Sequence, residues 1–514
     1  GHVGKLATHS IGARVIQQAF SLLKKELRTQ LKIEIYGPEY VLFSALPPEK
    51  VPENLEQFIS LRPDKKDSIL AGVKETLVKI AEKGLLIFRY THTLAWEYMN
   101  QCNKTTDLKD LIPILSEGFA ALLSTRDGAK VASTCAAYGT AKDRKKMMQA
   151  LKSNVAAMLL DDHGYLAVIR LAASIDDTVQ FQKMVLKELL LPLPQNFKQN
   201  QKKRKMEGQT ADEWVPRGVA KSSGSGKNMN TEALDEVNWD IDLDENDAED
   251  ELSEEEAKEE KGVESKEADE QAAVEMNVDT ESMDSTDHIS LYDVAMNLNG
   301  SKFLLYLLAK DPSKYLDQDL KTLLQPAMIL TDEKNYVFAS KKDEQARKRE
   351  IIAFLKLPLI KICKEHAEEM IEQQYIGCRV LLETMKNFED ADLVNVVANL
   401  FITPRNKGEV AFYECCSPHF LIKNIILFEA SQQRENNKRK VWLSDVIFEL
   451  LQSNNSLKNL LETSRGSFVV ADLLNVPSVS KKLLEILKDH KCGEESGKGG
   501  EVLNEALAKS KAAN

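Results

Sequence analysis

Aromatic side chains are scarce in this chain, at 6% of 514 residues, and no run of 18 apolar residues occurs. The missing apolar run excludes an ordinary membrane-spanning helix, so we expect no membrane partner. Neither a signal peptide nor an initiator methionine precedes the first helical segment, and we expect a piece of a longer protein. The many leucine, alanine and lysine residues favour helices over strands.

Cysteine occurs in an odd number and never in a Cys-x-x-Cys pair. The seven cysteines are Cys102, Cys135, Cys363, Cys378, Cys415, Cys416 and Cys492. This pattern indicates reduced, mostly buried thiols in an intracellular protein rather than a disulfide framework. Zinc-ligand spacing is also missing, so we predict no metal site. Cys415 and Cys416 lie in the apolar stretch VAFYECCSPHFL, which favours core thiols over a nucleophile.

Catalytic motifs are missing as well: there is no P-loop, no Gly-x-Ser-x-Gly and no His-Glu-x-x-His. The histidines are scattered singly, as at His9, His92, His163 and His419. His163 follows Asp161 and Asp162, which a metal or acid–base site would show, but a loop turn before a helix explains the pattern better. We therefore predict no enzymatic activity, no cofactor and no small-molecule substrate.

Negative charge is concentrated in one segment. The formal net charge is −12, yet residues 195–290 hold 28 acidic and 11 basic side chains, which leaves about +5 on the rest of the chain. Residues 195–288 are poor in apolar side chains and cannot offset the entropy of ordering, so we predict a disordered acidic insert. A basic cluster at its front indicates either a nuclear import signal or a solvated charge run. It consists of Lys202, Lys203, Arg204 and Lys205.

The chain reads as helical on both sides of the insert. Apolar residues recur at intervals of three and four, as at Met148, Leu151, Val155 and Leu159. No long alternating stretch and no hairpin signal occurs, so the predicted fold class is all-α. The predicted domains are helical repeats at 1–194 and 289–490, the insert at 195–288, and a flexible tail at 491–514.

A glycine followed by two residues and an aliphatic side chain recurs along the chain. Clear copies contain Gly12, Gly128, Gly164, Gly300, Gly377 and Gly466, and weaker copies without glycine surround Trp96 and Phe420. Gly128 and Gly164 are 36 residues apart, and the Gly164–Gly300 spacing falls to about one repeat when the insert is subtracted. So short a unit cannot bury its own apolar face, which predicts a stacked helical-repeat array interrupted by a long loop.

The stretch DGAKVASTCAAYGTAKDRKKM predicts a helix, a stop at Gly139 and a second helix. Thr140 and Asp143 have the spacing of a capping box. Four cations occupy the first turns of the second helix: Lys142, Arg144, Lys145 and Lys146. Cations there oppose the helix dipole at a cost of a few tenths of a kcal/mol each. They indicate either a polyanionic partner or a merely solvated face.

Several of these stretches resemble the second helix of Pumilio (Puf) repeats: GARVIQ, GAKVAS and GCRVLL. The longer blocks STRDGAKVASTCAAYGTAKDRKKM, ASIDDT, GSKFLLYLLAKDP and SKKDEQARKRE are similar to the Puf-A branch of that family, a group of nucleolar Pumilio-like proteins. The resemblance implies a right-handed, L-shaped superhelix. It also implies that N-terminal repeats and a basic tail are absent, because GHVGKLATHSIGARVIQQAF resembles an internal repeat.

Standard Puf proteins read single-stranded RNA one base per repeat, through two side chains at the base edge and one that stacks between them. Carried over, the trios are Ala13, Arg14, Gln17; Ala129, Lys130, Ser133; Tyr165, Leu166, Ile169; Ser301, Lys302, Leu305; Cys378, Arg379, Leu382; and Ser467, Phe468, Ala471. Only the first trio is close to a base-reading set, because Ile169, Leu305, Leu382 and Ala471 cannot hydrogen-bond a base. The stacking position, in contrast, is often Lys or Arg. The resemblance therefore implies binding to RNA, and to DNA as a second ligand, with little sequence preference.

Basic residues that touch phosphates supply affinity without sequence information. The predicted nucleic-acid contacts are Arg14, Gln17, Lys130, Ser133, Lys142, Arg144, Lys145, Tyr165, Lys302, Lys341, Lys342, Arg347, Lys348, Arg349 and Arg379. The resemblance implies a nucleolar protein of large ribosomal subunit assembly and pre-rRNA processing, with pre-rRNA and pre-ribosomal proteins as partners; we expect a monomer. Two alternatives stay open: a sequence-specific Puf regulator of translation, and a protein scaffold of HEAT or armadillo type.

The acidic insert has two interpretations. It is either a passive tether or a mimic of nucleic acid. A mimic would compete for the basic surface or bind basic ribosomal proteins or histones.

Overall fold

A computed structural model describes residues 2–43, 50–190, 290–330, 335–372, 375–402, 412–435, 438–454, 456–488 and 496–513. The predicted acidic insert, its basic cluster at 202–205 and Cys492 lie outside the described residues. Within the described ranges, no helix has both the length and the apolar content needed to cross a bilayer.

The part of the chain before the insert is helical. In chain order the helices are α1 Val3–Ala7, α2 Ser10–Leu22, α3 Lys25–Tyr36, α4 Leu55–Leu61, α5 Lys66–Glu82, α6 Arg89–Gln101, α7 Leu108–Leu115, α8 Phe119–Leu122, α9 Arg126–Tyr138, α10 Ala141–Leu151, α11 Val155–Leu160, α12 Gly164–Ser174, α13 Thr178–Phe181 and α14 Lys187–Leu189. Shorter 3-10 turns lie at Pro38–Leu42, Pro63–Lys65, Leu85–Ile87 and Ser116–Gly118, and a π turn lies at Gln182–Leu186.

The part after the insert continues in the same way. Its helices are α15 Leu291–Met296, α16 Leu298–Leu308, α17 Gln318–Leu323, α18 Glu344–Glu365, α19 Ala367–Glu372, α20 Ile376–Asn387, α21 Ala391–Ile402, α22 Cys416–Arg434, α23 Leu443–Ser453, α24 Leu457–Leu461, α25 Ser464–Leu473, α26 Pro477–Ile486 and α27 Gly497–Ala513. Two strands, β1 Met328–Leu330 and β2 Tyr336–Phe338, and 3-10 turns at Pro312–Tyr315 and Phe412–Glu414 complete the described elements.

The helices stack in two layers. In the inner layer each helix packs against the next, in the order α2, α6, α9, α12, α16, α20, α22, α25 and α27. The outer layer contains α3, α5, α7, α10, α13, α18, α21, α23 and α26. One continuous hydrophobic core lies between the layers, from Ala7 to Leu507. The all-α repeat array predicted from the sequence is confirmed.

The repeated glycines lie where an inner helix begins against the short helix that precedes it. A Cβ atom on Gly128 would overlap the carbonyl oxygen of Leu122, six residues earlier. The same relation to the carbonyl six positions back holds at Gly12, Gly164, Gly300 and Gly466. Any side chain would push the two helices of the repeat apart, so close helix approach explains the recurring glycine.

The repeat register continues across the predicted insert. Helices α12 and α16 pack side by side, and Nδ2 of Asn299 donates to a carboxylate oxygen of Asp162 at 3.3 Å. Next to it, Asp161 accepts hydrogen bonds from the backbone N–H groups of His163 and Gly164, both at 2.9 Å. The DDHG stretch is therefore a helix-capping turn. The described residues contain no cluster of three potential metal ligands.

Two elements differ from the sequence-based expectation. The strands β1 and β2 pair as an antiparallel hairpin in which Met328 lies opposite Phe338; three-residue strands are too short to show a period of two. The predicted flexible tail is corrected over 497–513, which form α27. There Leu503 and Leu507, one turn apart, are buried, and Gly499 packs against the backbone of Ser464.

The cysteines match the expectation only in part. Cys135, Cys363 and Cys378 are buried, and burial raises the pKa of each thiol. The predicted core position of Cys416 is wrong: the residue is exposed at the start of α22, with its sulfur 3.0 Å from Nη2 of Arg465. The apolar stretch VAFYECCSPHFL supplies its buried face from other residues, because a helix buries only one side.

Candidate nucleic-acid interface

The inner helices carry the side chains that a Puf repeat would use to read bases. Ser133 is buried, and its hydroxyl donates to the carbonyl of Ala129 at 2.8 Å. The hydroxyl of Ser301 likewise donates to the carbonyl of Leu298 at 3.1 Å. Other edge positions are apolar and buried: Ile169, Leu305, Leu382 and Ala471. These positions therefore offer no hydrogen-bonding code for base edges.

The structure corrects the prediction that Arg144 contacts phosphate. Arg144 is 2% exposed, and its Nε and Nη2 donate to the carbonyls of Ala136 and Ala137 at 2.9 and 3.1 Å. Burial lowers the pKa of this guanidinium. The capping box of Thr140 and Asp143 is present at the start of α10. Arg144 thus faces the carbonyl end of α9, where the helix dipole favours a cation.

Arg347 repeats this arrangement at the end of α12 and is corrected in the same way. It is buried, its Nε donates to the carbonyl of Ile175 at 2.6 Å, and its Nη1 donates to that of Ala173. Farther along, Nη2 of Arg439 donates to the carbonyl of Phe388, after α20, at 3.0 Å. Arginines that donate to the carbonyls at the ends of inner helices are thus a recurring structural device.

The three sequence blocks GTAKDRK, SIDDT and SKKDEQARKRE meet at Asp176. Its Oδ1 accepts from the Ser340 hydroxyl at 2.7 Å. It also accepts from the backbone N–H groups of Lys341 and Lys342 at 2.9 and 3.0 Å. Its Oδ2 lies 3.5 Å from Nη1 of Arg144. Burial alone would raise the pKa of Asp176, but these bonds lower it overall. We call this network the Asp176 junction.

A long excursion separates α16 from α18. Elsewhere an inner helix reaches its outer helix directly, as α9 reaches α10 through Gly139 and Thr140. Here residues 311–330, which we call the strap, lie across the inner layer; they include Pro312–Tyr315, α17 and β1. The strap therefore lies over the row of helices that carries the predicted base contacts.

The strap begins over α20 and α16. The Tyr315 hydroxyl donates to Oε1 of Glu383 at 2.8 Å, and the guanidinium of Arg379 lies 5.9 Å from the centre of the Tyr315 ring. Burial, followed by the nearby Glu383 carboxylate, raises the pKa of this phenol. Arg379, a predicted contact at a stacking position, thus lies beside a strap side chain.

Asp317 lies on two further predicted contacts. Its Oδ2 is 2.9 Å from Nζ of Lys302 and accepts from the Tyr165 hydroxyl at 3.1 Å. The Lys302 ammonium lies 4.8 Å from the centre of the Tyr165 ring. Burial alone would raise the pKa of Asp317, but hydrogen bonds from Lys302 and from the backbone of Leu320 lower it overall. The carboxylate therefore stays ionised against a largely covered cation.

Asp319 makes the equivalent contact on α9, two inner helices before α16. Its Oδ2 lies 3.2 Å from Nζ of Lys130 and accepts from Nε of Arg126 at 3.0 Å. The Lys130 ammonium also lies 5.5 Å from the ring of Trp96. The hydrogen bond from Arg126 is the main reason that the pKa of Asp319 is lowered. A second carboxylate of the strap thus forms an ion pair with a cation of the inner row.

The strap ends at the loop that follows α6. The carbonyl of Gln325 accepts from Nη1 of the buried Arg170 at 3.0 Å, and the backbone N–H of Leu330 donates to Thr105 Oγ1 at 3.2 Å. Its contacts thus run from α20 through α16, α12 and α9 to the end of α6. The structure brings Lys130, Tyr165 and Lys302 together, but beneath a segment of the same chain.

The other predicted contacts differ in exposure. Lys348 is buried beside Tyr306, with its ammonium 4.3 Å from that ring and 2.8 Å from Glu344. Lys342 pairs with Glu350, and Gln17 is half-buried. The predicted contacts that are exposed to solvent are Arg14, Lys142, Lys145, Lys341 and Arg349.

Known proteins share both sequence and architecture with this chain. Residues 296–440 match the CPL (NUC119) domain family. Pumilio homolog 24 of Arabidopsis thaliana is 29% identical over 191 residues, which are 37% of this chain and 29% of that protein. Pumilio homology domain family member 6 of Saccharomyces cerevisiae is 30% identical over 176 residues, which are 34% of this chain and 26% of that protein.

Human proteins match over nearly the whole chain. Pumilio homolog 3 is 20% identical over 526 residues, covering 99% of this chain and 63% of that protein. The crystal structure of human Puf-A superposes with a TM-score of 0.68 at 20% identity, covering 98% of this chain and 78% of that one. The chain therefore has the fold of human Puf-A, and its sequence is similar to that of Pumilio proteins. A second crystal structure, of human Puf-A in complex with DNA, superposes with a TM-score of 0.67.

The chain matches only part of the length of these relatives: 63% of the human protein and less than a third of the Arabidopsis and yeast proteins. The match to the CPL family begins at residue 296 and ends at residue 440. The strap lies entirely inside this range.

Sequence reasoning missed Asp317 and Asp319. Neither residue belongs to a motif, and their partners Lys130 and Tyr165 precede the acidic insert in the chain. The available signal was length: residues 309–343 separate α16 from α18, far more than the two residues between α9 and α10. A long segment between two helices that must pack together has to lie on some surface of the array.

Proposed function

We propose that this protein is a non-catalytic nucleic-acid-binding scaffold that binds RNA, and DNA as a second ligand, with little sequence preference. The observation that carries the proposal is the composition of the inner row. Most of its base-edge positions are apolar or, as at Ser133 and Ser301, bonded to their own helix, whereas its stacking positions include Lys130, Lys302 and Arg379. Cations recognise phosphate, which is the same at every nucleotide.

The exposed cations near the Asp176 junction supply an open phosphate-binding surface. Lys142 and Lys145 flank the buried Arg144 on α10, and Lys341 adjoins the backbone that Asp176 holds. Arg349 is exposed on the first turns of α18. Since these side chains are solvated in the free protein, binding a phosphate there requires no rearrangement of the fold. We call Lys142, Lys145, Lys341 and Arg349 the junction surface.

The two alternatives fare differently against the structure. A sequence-specific Puf regulator needs hydrogen-bonding groups at its reading positions, and the buried Ile169, Leu305 and Leu382 provide none. A pure protein scaffold would leave the cations of the junction surface without a ligand. Negligible RNA binding at physiological salt would favour that scaffold.

The setting of this function is proposed from the family resemblance. We place the protein in the nucleolus, as a monomer acting with pre-rRNA and pre-ribosomal proteins in large-subunit assembly and pre-rRNA processing. The cluster Lys202, Lys203, Arg204 and Lys205 supports nuclear import. A fluorescent fusion should collect in nucleoli, and diffuse cytoplasmic fluorescence would contradict this placement.

Fluorescence anisotropy tests the binding proposal. The full chain is titrated into a mixed-sequence single-stranded RNA, a scrambled RNA of the same composition and a duplex DNA, each at low and physiological salt. We expect affinities for the two RNAs within about threefold of each other and a steep decline with salt. A preference of about tenfold or more for one RNA, ~1.4 kcal/mol, would show that bases are read.

A charge-neutralising variant locates the surface. Lys142→Ala combined with Lys145→Ala should weaken binding to all three ligands by a similar factor and flatten the salt dependence. Lys361→Ala is a single-charge control, because Lys361 is exposed on the same outer layer, twelve residues and about 18 Å along α18 from Arg349. Equal losses in both variants would place the binding surface elsewhere.

A further inference from the structure

The strap carboxylates lie on cations that a bound nucleic acid would contact. Asp317 and Asp319 are 39% and 34% exposed, whereas the partners Lys302 and Lys130 are only 16% and 19% exposed. The cations are therefore covered and the covering carboxylates face water. A phosphate of a bound strand can reach Lys130 or Lys302 only after the carboxylate above it has moved away.

The contacts follow the direction of the inner row. Tyr315 lies beside Arg379 on α20, Asp317 beside Lys302 on α16 and Asp319 beside Lys130 on α9. Each of these cations stands at the stacking position of its trio. The strap thus follows the row of cations as a single nucleic-acid strand would. Its carboxylates lie where the phosphates of such a strand would lie.

The strap is held lightly enough to move. Within it only Leu316, Leu320 and Ala327 are buried. Its other anchors are partly exposed ion pairs and hydrogen bonds, which are weak individually and are screened by salt. Its downstream end is held separately, because residues 340–342 are bonded to Asp176. The strap can therefore leave the row without detaching from the array.

We propose that the strap is an internal competitor of nucleic acid: Asp317 and Asp319 occupy Lys302, Lys130 and Arg126, and the inner row binds a strand only when the strap is displaced. This inference rests on the proposed nucleic-acid-binding function and adds its regulation. Displacement of the strap also releases Tyr165. The Lys302 ammonium lies over the ring of Tyr165, and the Tyr165 hydroxyl donates to Asp317. A freed aromatic ring on the row can stack on a base of any sequence.

The decisive variant is Asp317→Asn combined with Asp319→Asn in the full chain, because it removes both charges and keeps both shapes. The control is Asp110→Asn combined with Glu75→Gln, which removes two charges from the outer-layer helices α7 and α5, where these side chains are 76% and 68% exposed. Both are titrated against the mixed-sequence single-stranded RNA by anisotropy. We expect the strap variant to bind about tenfold more tightly than the unmodified chain, and the control to change by less than twofold.

A third variant links the gain to the covered cations. Adding Lys130→Ala and Lys302→Ala to the strap variant should abolish the gain and leave the affinity of the unmodified chain. A gain that survives, or one that the control shares, overturns the competition. RNA binding that is unchanged by Asp317→Asn and Asp319→Asn overturns it while the proposed function stands; no binding by any variant overturns both.

Hydrogen exchange of the unmodified chain gives a readout that needs no substitution. With saturating single-stranded RNA, backbone amides of 316–324 should exchange faster than in the free protein, since α17 loses its contacts. Amides of α9 and α16 beneath it should not exchange faster. Slower or unchanged exchange of 316–324 on RNA binding would contradict displacement of the strap.

Discussion

Oδ2 of Asp319 lies 3.2 Å from Nζ of Lys130, so a carboxylate from within the matched CPL domain neutralises a cation of an earlier repeat. The carboxylate is one-third exposed, and ion pairs of this kind contribute little to stability. We predict that Asp319→Asn lowers the free energy of unfolding by less than about 1 kcal/mol. Urea denaturation followed by circular dichroism measures this. A loss of several kcal/mol would show that the strap is part of the core.

The repeat glycine has a predictable cost of substitution. Gly128→Ala places a methyl group on the carbonyl oxygen of Leu122 and 2.8 Å from Nδ1 of His92, and we expect a loss of about 3 kcal/mol in stability. Gly72→Ala is the matched control, because Gly72 is inside α5 with no atom within 4 Å of its added Cβ. That variant should be stabilised by up to about 1 kcal/mol. Thermal unfolding of both variants tests the pair, and equal destabilisation would contradict the close-approach explanation.

His92 predicts a dependence of stability on pH. Nε2–H donates to the carbonyl of Leu86, and the Thr125 hydroxyl donates to Nδ1 at 2.8 Å while its oxygen accepts from Gly128 N–H. Burial is the main cause that lowers the pKa of His92 to about 4. Between about pH 6.5 and about pH 4, His92 is protonated in the unfolded chain but not in the folded chain. The free energy of unfolding should therefore fall by roughly 3 kcal/mol as the pH decreases across this range.

The variant His92→Gln isolates this contribution. Urea midpoints of the parent and the variant are compared at pH 7.5 and near pH 4.5. The parent should lose more stability between the two conditions than the variant. A variant with the same pH dependence as its parent would assign the effect to other groups, such as His419, whose pKa is also lowered to about 4, chiefly by burial.

Substitution of Arg144 distinguishes a cation that stabilises the fold from a cation that binds nucleic acid. Arg144→Ala leaves the carbonyls of Ala136 and Ala137 and the carboxylate of Asp176 without this donor, and we expect a loss of about 3 kcal/mol in stability. The neighbouring exposed Lys142→Ala should change stability by less than about 0.5 kcal/mol. At a temperature where Arg144→Ala is folded, its RNA affinity should equal that of the parent. A lower affinity without loss of stability would restore Arg144 to the binding surface.

Local patterns in the sequence predict the repeat array but not what covers it. The recurring glycines at Gly128 and Gly164 mark inner helices, since the steric demand of close approach is local. Arg144 looked like a surface cation because its own helix begins beside it, whereas its acceptors lie at the end of α9.

The remaining gaps have the same physical origin. The role of Asp317 and Asp319 depends on their partners Lys302 and Lys130, which come close to them only when the repeats stack. The helix α27 was hidden because glycine and lysine dominate its first turn, and its docking depends on Gly499 fitting against Ser464. Contacts between distant segments leave no periodic trace in either partner.

The Asp176 junction also sets the mechanics of the strap. One carboxylate holds both the residues that follow the hairpin, Ser340 to Lys342, and Arg144 of the outer layer. The strap is therefore tethered on both sides, by α16 before it and by the junction after it, and it can move only as a loop that stays attached to the array. Such a loop returns to its contacts at a rate independent of protein concentration, so release of a bound strand would be followed by reclosure within the same molecule.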